Sequence, residues 1–174
     1  AVNPEEEAAK YITENVKDIA DALQGARDIM AEWIAENEQA RNTIRKLFTE
    51  EAIVSSRVLT SKKDEEDAQK YRDYFEYKEQ LAQSPSHRIL AIRRGEKEGF
   101  LIMDINIEKE TAVEELKRKF ITVSNAASQQ VGLAIEDSFA RLLKPSIETE
   151  FRMLSKTKAD EEAIRVFAEN LRQL

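Results

Sequence analysis

The chain has 174 residues, 41% of them apolar and 35% charged, with a net charge of −7 and no cysteine. That length and balance predict a well-solvated fold with a sizeable core, and they exclude a disulfide framework, a thiolate zinc site and a cysteine nucleophile. Four glycines and three prolines are too few for the many tight turns of a sandwich or barrel, so the expected class is mainly α, a multi-helical domain with a small two-stranded β element.

At the N-terminus, Asn3 followed by Pro4 and Glu6 has the form of a capping box with proline at the first helical position. A helix of two to three turns is expected there, carrying Ala8, Tyr11 and Ile12. Ile19, Leu23, Ala26, Met30 and Trp33 or Ile34 recur every three or four residues, the period of one helical face. After a polar break at Asn37, a third helix carries Ala40, Ile44, Leu47 and Phe48. The whole of 1–174 reads as a single helical region, with a subdivision into an N-terminal hairpin over 1–52 and a core over 53–174 as the finer expectation.

The stretch from Ile53 to Thr60 is rich in β-branched residues without helical spacing and predicts a strand. Asp64-Glu65-Glu66-Asp67 suits the first turn of a helix that bears Tyr71, Tyr74 and Phe75 and ends before Pro85, since carboxylates favour the positive end of the dipole. Ser86 is placed to cap a short helix over His87 to Arg94, with Gly95 as its left-handed terminus. Phe100 to Ile107 reads as a second strand and is expected to pair with the first; a hairpin with 88–93 ranks second. Thr111 and Glu114 form another capping box, ahead of Val113, Leu116 and Phe120. Val131, Ile135, Phe139 and Leu142 line a long helix that Lys144-Pro145 should break. A last helix, or a kinked continuation of the one before, carries Ile147, Phe151, Leu154, Ile164, Phe167 and Leu171, and its stripe runs to Leu174 without a stop signal, as expected of a chain that continues.

No apolar run approaches the roughly 20 residues that span a bilayer, and the acidic N-terminus lacks the basic and apolar regions of a signal peptide, so a cytoplasmic location is expected. His87 is the only imidazole; without a cysteine or second histidine a metal site would need several carboxylates, and a capping or packing role beside Ser86 is the favoured reading, since base and ligand roles need partners the chain does not show. Gly95 and Gly99 lack the companions of a phosphate-cradling loop. No enzyme and no cofactor are expected. Residues 1–86 carry 12 basic and 19 acidic side chains, whereas 87–109 carry 5 and 4, so the only basic tilt begins at His87. Arg88, Arg93, Arg94 and Lys97, with Lys117, Arg118 and Lys119 further on, are the candidates for contact with nucleic-acid phosphates. Glu96, Glu98, Glu114 and Glu115 sit among them, and ordinary salt-bridged surface is the competing reading.

One group of motifs goes further. Arg72-Asp73-Tyr74-Phe75, Pro85-Ser86-His87-Arg88, Arg94-Gly95 and Glu98-Gly99 resemble the "RDYF", "PSHR" and "RG…EG" elements of the Tex family of transcription accessory proteins. Gly25 to Ile29 resembles its "GARDI" element, and Val166 to Leu171 its "VFAENL" approach to an RNase H-like domain. The resemblance implies that 1–174 is a fragment of a larger multidomain protein, the helical region ahead of that domain, and that an OB-fold elsewhere in the protein supplies the main nucleic-acid contact. It implies a non-catalytic scaffold that positions downstream nucleic-acid-binding domains, with RNA or DNA bound through the full-length protein and the transcription machinery as partner. The alternatives are a weak direct RNA- or DNA-binding surface and a self-associating helical module. Under the scaffold reading Arg72, Asp73, Tyr74, Phe75, Pro85, Ser86, His87, Gly95 and Gly99 are structural.

Overall fold

The computed structural model describes residues 2–172. Asn3 opens α1 (Pro4–Ala8) by accepting a hydrogen bond from the Glu5 N–H, and proline sits where its missing N–H is harmless. A three-ten turn over Ala9–Tyr11 extends it. Asp18 caps α2 (Ile19–Glu36), and the Asn37 side chain accepts from the Ala40 N–H at 2.9 Å to start α3 (Glu38–Glu51). The α3 stripe of Ala40, Ile44, Leu47 and Phe48 is buried throughout, whereas α2 buries only Ala31, Ile34 and Ala35.

The mainly α class holds, but the sheet has three strands instead of two: β1 (Ile53–Val58), β2 (Glu76–Gln80) and β3 (Leu101–Asn106), all antiparallel, in the order β2-β1-β3. β1 pairs with β3 as expected, with Val54 opposite Ile105 and Ser56 opposite Met103. The segment expected as one α-helix ending before Pro85 is a three-ten helix over Glu66–Tyr74, followed by β2 and a three-ten turn over Leu81–Gln83. Ala68, Tyr71 and Tyr74 recur every three residues, which is the three-ten period. β1 lies at the centre of the sheet and needs partners on both edges for its backbone groups, and β2 supplies the second set.

α4 (Ser86–Lys97) departs from its expected ends. Pro85 occupies the N-cap, and the Ser86 hydroxyl donates to the Glu162 carboxylate instead of capping. The helix runs through Gly95, and the left-handed residue is Gly99, at φ +82°. Gly95 is required for space: a Cβ there would lie 2.5 Å from Leu101 Cδ1 and 3.2 Å from Tyr71 Cδ1. α5 (Lys109–Phe120) starts two residues before Thr111, whose hydroxyl donates to Glu108 at 2.9 Å, so the expected Thr111 cap is not used. A reciprocal box between Asn125 and Ser128 opens α6 (Ala126–Asp137). At Lys144-Pro145 the helical path does not stop, so of the two expectations a continuation is observed and a separate last helix is not. A π-helical segment, Ser138–Leu143, carries α6 into α7 (Lys144–Arg172), its wider turn accommodating a proline ring that would strike the carbonyl four residues back. Leu174, at the end of the expected stripe, lies outside the described residues.

The chain divides into two compact units, Ala1–Leu47 with Glu108–Ile147, and Phe48–Ile107 with Glu148–Leu174. The first unit buries Ala31, Ile44, Leu116, Ile135, Phe139 and Leu143, and the fully buried Ser138 donates its hydroxyl to the Ala31 carbonyl at 2.7 Å. The second packs α4, through Ile89 and Ile92, on the sheet face formed by Val54, Leu101, Met103 and Ile105. Both cores are mostly apolar, so close packing sets the helix and strand positions around them.

Candidate nucleic-acid interface

The motif residues of 71–99 meet at the join between the three-ten helix, β2, α4 and β3. The Tyr74 carbonyl accepts from the buried Ser56 hydroxyl, and the Phe75 carbonyl accepts from the Val58 N–H at 3.0 Å. The Tyr74 ring stands edge-on to Tyr77 at 5.5 Å. Tyr71 packs against Phe100 and under Lys70, whose ammonium pairs with Glu98 at 2.7 Å. The Tyr71 hydroxyl is buried and meets no acceptor in hydrogen-bonding geometry, yet burial first and the Glu98 carboxylate second raise its pKa. Pro85 leads into α4 with its carbonyl accepting from the Arg88 N–H, while Arg72, Asp73 and His87 are exposed.

Arg88 is committed within the protein. Its guanidinium donates to Glu79 at 3.0 Å and to the Tyr77 hydroxyl at 3.4 Å. Glu79 also accepts from Tyr77 and from Ser84, and these donors, Tyr77 foremost, hold its carboxyl below the usual carboxylate range. Among the α5 candidates, Lys117 pairs with Glu136 at 3.0 Å and Arg118 with Glu115 at 2.7 Å, leaving Lys119 exposed. These positions belong to the first unit and those of α4 to the second.

Arg93, Arg94 and Lys97 are different. With Leu90 they form one stripe of α4 at spacings of three and four, and they line a recess of about 510 Å³ together with Glu96 and, from α7, Lys156 and Asp160. Both carboxylates in it are already neutralised, Glu96 by Arg152 at 2.5 Å and Asp160 by Lys156. Arg93 donates to the Arg152 carbonyl at 3.3 Å. Lys156 and Arg152 escape a reading of the sequence because they lie far along the chain; the i, i+4 pair of Lys156 with Asp160 marks only an exposed helical face. Among the described residues, no group of three or more His, Asp or Glu is placed to hold a metal ion, and no helix is long and apolar enough to cross a membrane.

Comparison with known proteins places the chain in a family. A family model described as Tex central region-like matches residues 1–167. The chain belongs to the Tex central region-like family. An uncharacterized protein of Bacillus subtilis, YdcI, is 36% identical over 96% of this chain and 24% of its own length. The transcriptional accessory protein Tex of Neisseria gonorrhoeae is 32% identical over 96% of the chain and 23% of its own length. The human S1 RNA-binding domain-containing protein 1 is 30% identical over 94% and 18%. This Tex central region therefore spans about a quarter of the length of the bacterial relatives it matches.

Proposed function

We propose that this Tex central region is a non-catalytic scaffold within a cytoplasmic transcription accessory protein, holding neighbouring nucleic-acid-binding domains in place. RNA or DNA is then engaged by the full-length protein, with the transcription machinery as partner. The relatives' names, which speak of transcription and of RNA binding, support this reading. The observation that carries it is the end of α7, where Ile164, Phe167 and Leu171 follow one another at helical spacing and are 69%, 65% and 55% exposed. An amphipathic stripe of that size on a 29-residue helix is suited to pack against another folded segment.

Hydrogen exchange tests the scaffold directly. The amides of residues 160–172 should exchange more slowly within a full-length Tex protein than in the 174-residue chain. Equal protection in the two would remove the basis for the scaffold.

A second reading, direct contact with nucleic acid by this region itself, is favoured by the recess of Arg93, Arg94 and Lys97.

A further inference from the structure

We infer that the recess between α4 and α7 binds the phosphodiester backbone of RNA or DNA, a contact made by this region in addition to any made elsewhere in the protein. The inference deepens the second reading above and rests on it. The second unit contains more carboxylates than cations, so its overall charge does not attract polyanions. Locally the balance reverses. The two carboxylates of the recess are occupied by Arg152 and Lys156, while Arg93, Arg94 and Lys97 have no carboxylate within salt-bridge distance among the described residues.

The geometry selects phosphate over other anions' carriers and over bases. Arg93 is anchored through one N–H to the Arg152 carbonyl, which orders the guanidinium and leaves its other donors for a ligand. Arg94 and Lys97 are exposed on the same stripe, one helical turn apart. Three cations that form no salt bridge of their own, on one concave face, match successive phosphates of a chain bearing one charge per nucleotide. No aromatic ring lines the recess, so a base finds no stacking platform there, and binding should be independent of sequence. Nothing in the lining distinguishes ribose from deoxyribose except the two occupied carboxylates, so RNA and DNA should bind alike.

The test is a titration of the 174-residue chain into fluorescein-labelled single-stranded 12-mers of mixed-sequence RNA and DNA, followed by anisotropy at several salt concentrations. Three phosphate contacts give a slope of log K against log salt of about −2, at roughly 0.7 per phosphate for a single strand. Arg94→Glu with Lys97→Glu should weaken binding about tenfold or more and flatten that slope by about 1.4. Arg94→Ala with Lys97→Ala should flatten it equally, with a smaller loss of affinity. Lys63→Glu with Lys78→Glu makes the same change of net charge at exposed positions of the same unit outside the recess, and should change affinity less than twofold. Equal losses in the recess and control variants would overturn the site by showing diffuse attraction only. Failure of the unaltered chain to bind at about 50 mM salt would overturn it too, and would leave the scaffold, judged by exchange in α7, standing.

Discussion

Gly95 and Gly25 are both helical glycines, and their surroundings give them opposite prospects. At Gly95 a methyl group would enter a space already filled by Leu101 and Tyr71, which are 1% and 4% exposed and cannot move aside. Overpacking of that kind costs about 1–3 kcal/mol, against about 1 kcal/mol gained by replacing glycine with alanine inside a helix. Gly95→Ala should therefore destabilise the chain, by up to about 2 kcal/mol. At Gly25 nothing lies within 4 Å of the added atom and the helical backbone suits alanine, so Gly25→Ala should stabilise by about 0.5–1 kcal/mol. Urea midpoints for the two variants decide the matter, and a shift in the same direction for both would contradict the packing account. The motif "RG…EG" shows the same limit of a one-dimensional reading. Two glycines near a helix end suggest a C-cap, and which of them turns left-handed depends on where Leu101 and Tyr71 arrive in space.

The outer edge of β3 is the element whose upkeep is most visible. The Met103 carbonyl accepts from Arg152 at 2.6 Å, its N–H faces Glu96 at 3.4 Å, and the Ile105 N–H faces Glu148 at 3.5 Å. Side chains of α4 and α7 thus occupy backbone groups that would otherwise be open to another strand. Arg152→Ala removes the donor to Met103 and leaves the Glu96 carboxylate, only 30% exposed, without its partner. A loss of about 2 kcal/mol and faster exchange of the β3 amides are expected. Arg118→Ala, which removes an exposed pair with Glu115, should change stability by about 0.5 kcal/mol or less. Similar losses from both would show that the edge contact contributes no more than a surface pair. The helices α2, α3, α5 and α6 could be read from the chain because a period of three to four residues is a local property. β2 could not. Its sequence, Glu-Tyr-Lys-Glu-Gln, has no apolar alternation, and it is a strand because β1 presents a second edge. The recess was half legible for the same reason: the α4 stripe is local, whereas Lys156 joins it only through the packing of α7.

Over the whole molecule the charge pattern sets the response to pH. The Glu79, Glu98 and Asp137 carboxyls are all held below their ordinary values, chiefly by hydrogen bonds from Tyr77, Lys70 and Arg141 respectively. Each binds a proton less readily folded than unfolded, so its contribution is complete above the ordinary values of 4.5 for glutamate and 3.8 for aspartate. It is lost as the pH falls from there through the lower folded values. The Tyr71 and Tyr77 hydroxyls are shifted the other way, first by burial, so their contribution is complete below the ordinary 10.0 and is lost as the pH rises past it. The melting temperature should accordingly be flat from about pH 6 to 9, with a fall on each side. Glu98→Gln removes a carboxylate that Lys70 stabilises, without adding bulk beside Tyr71. The variant should melt below the unaltered chain at pH 7 and lose less on acidification to pH 3, so the two curves converge. Parallel acid limbs would mean that the Lys70 contact is too well solvated to couple to folding, and that the acid response belongs to the remaining carboxylates.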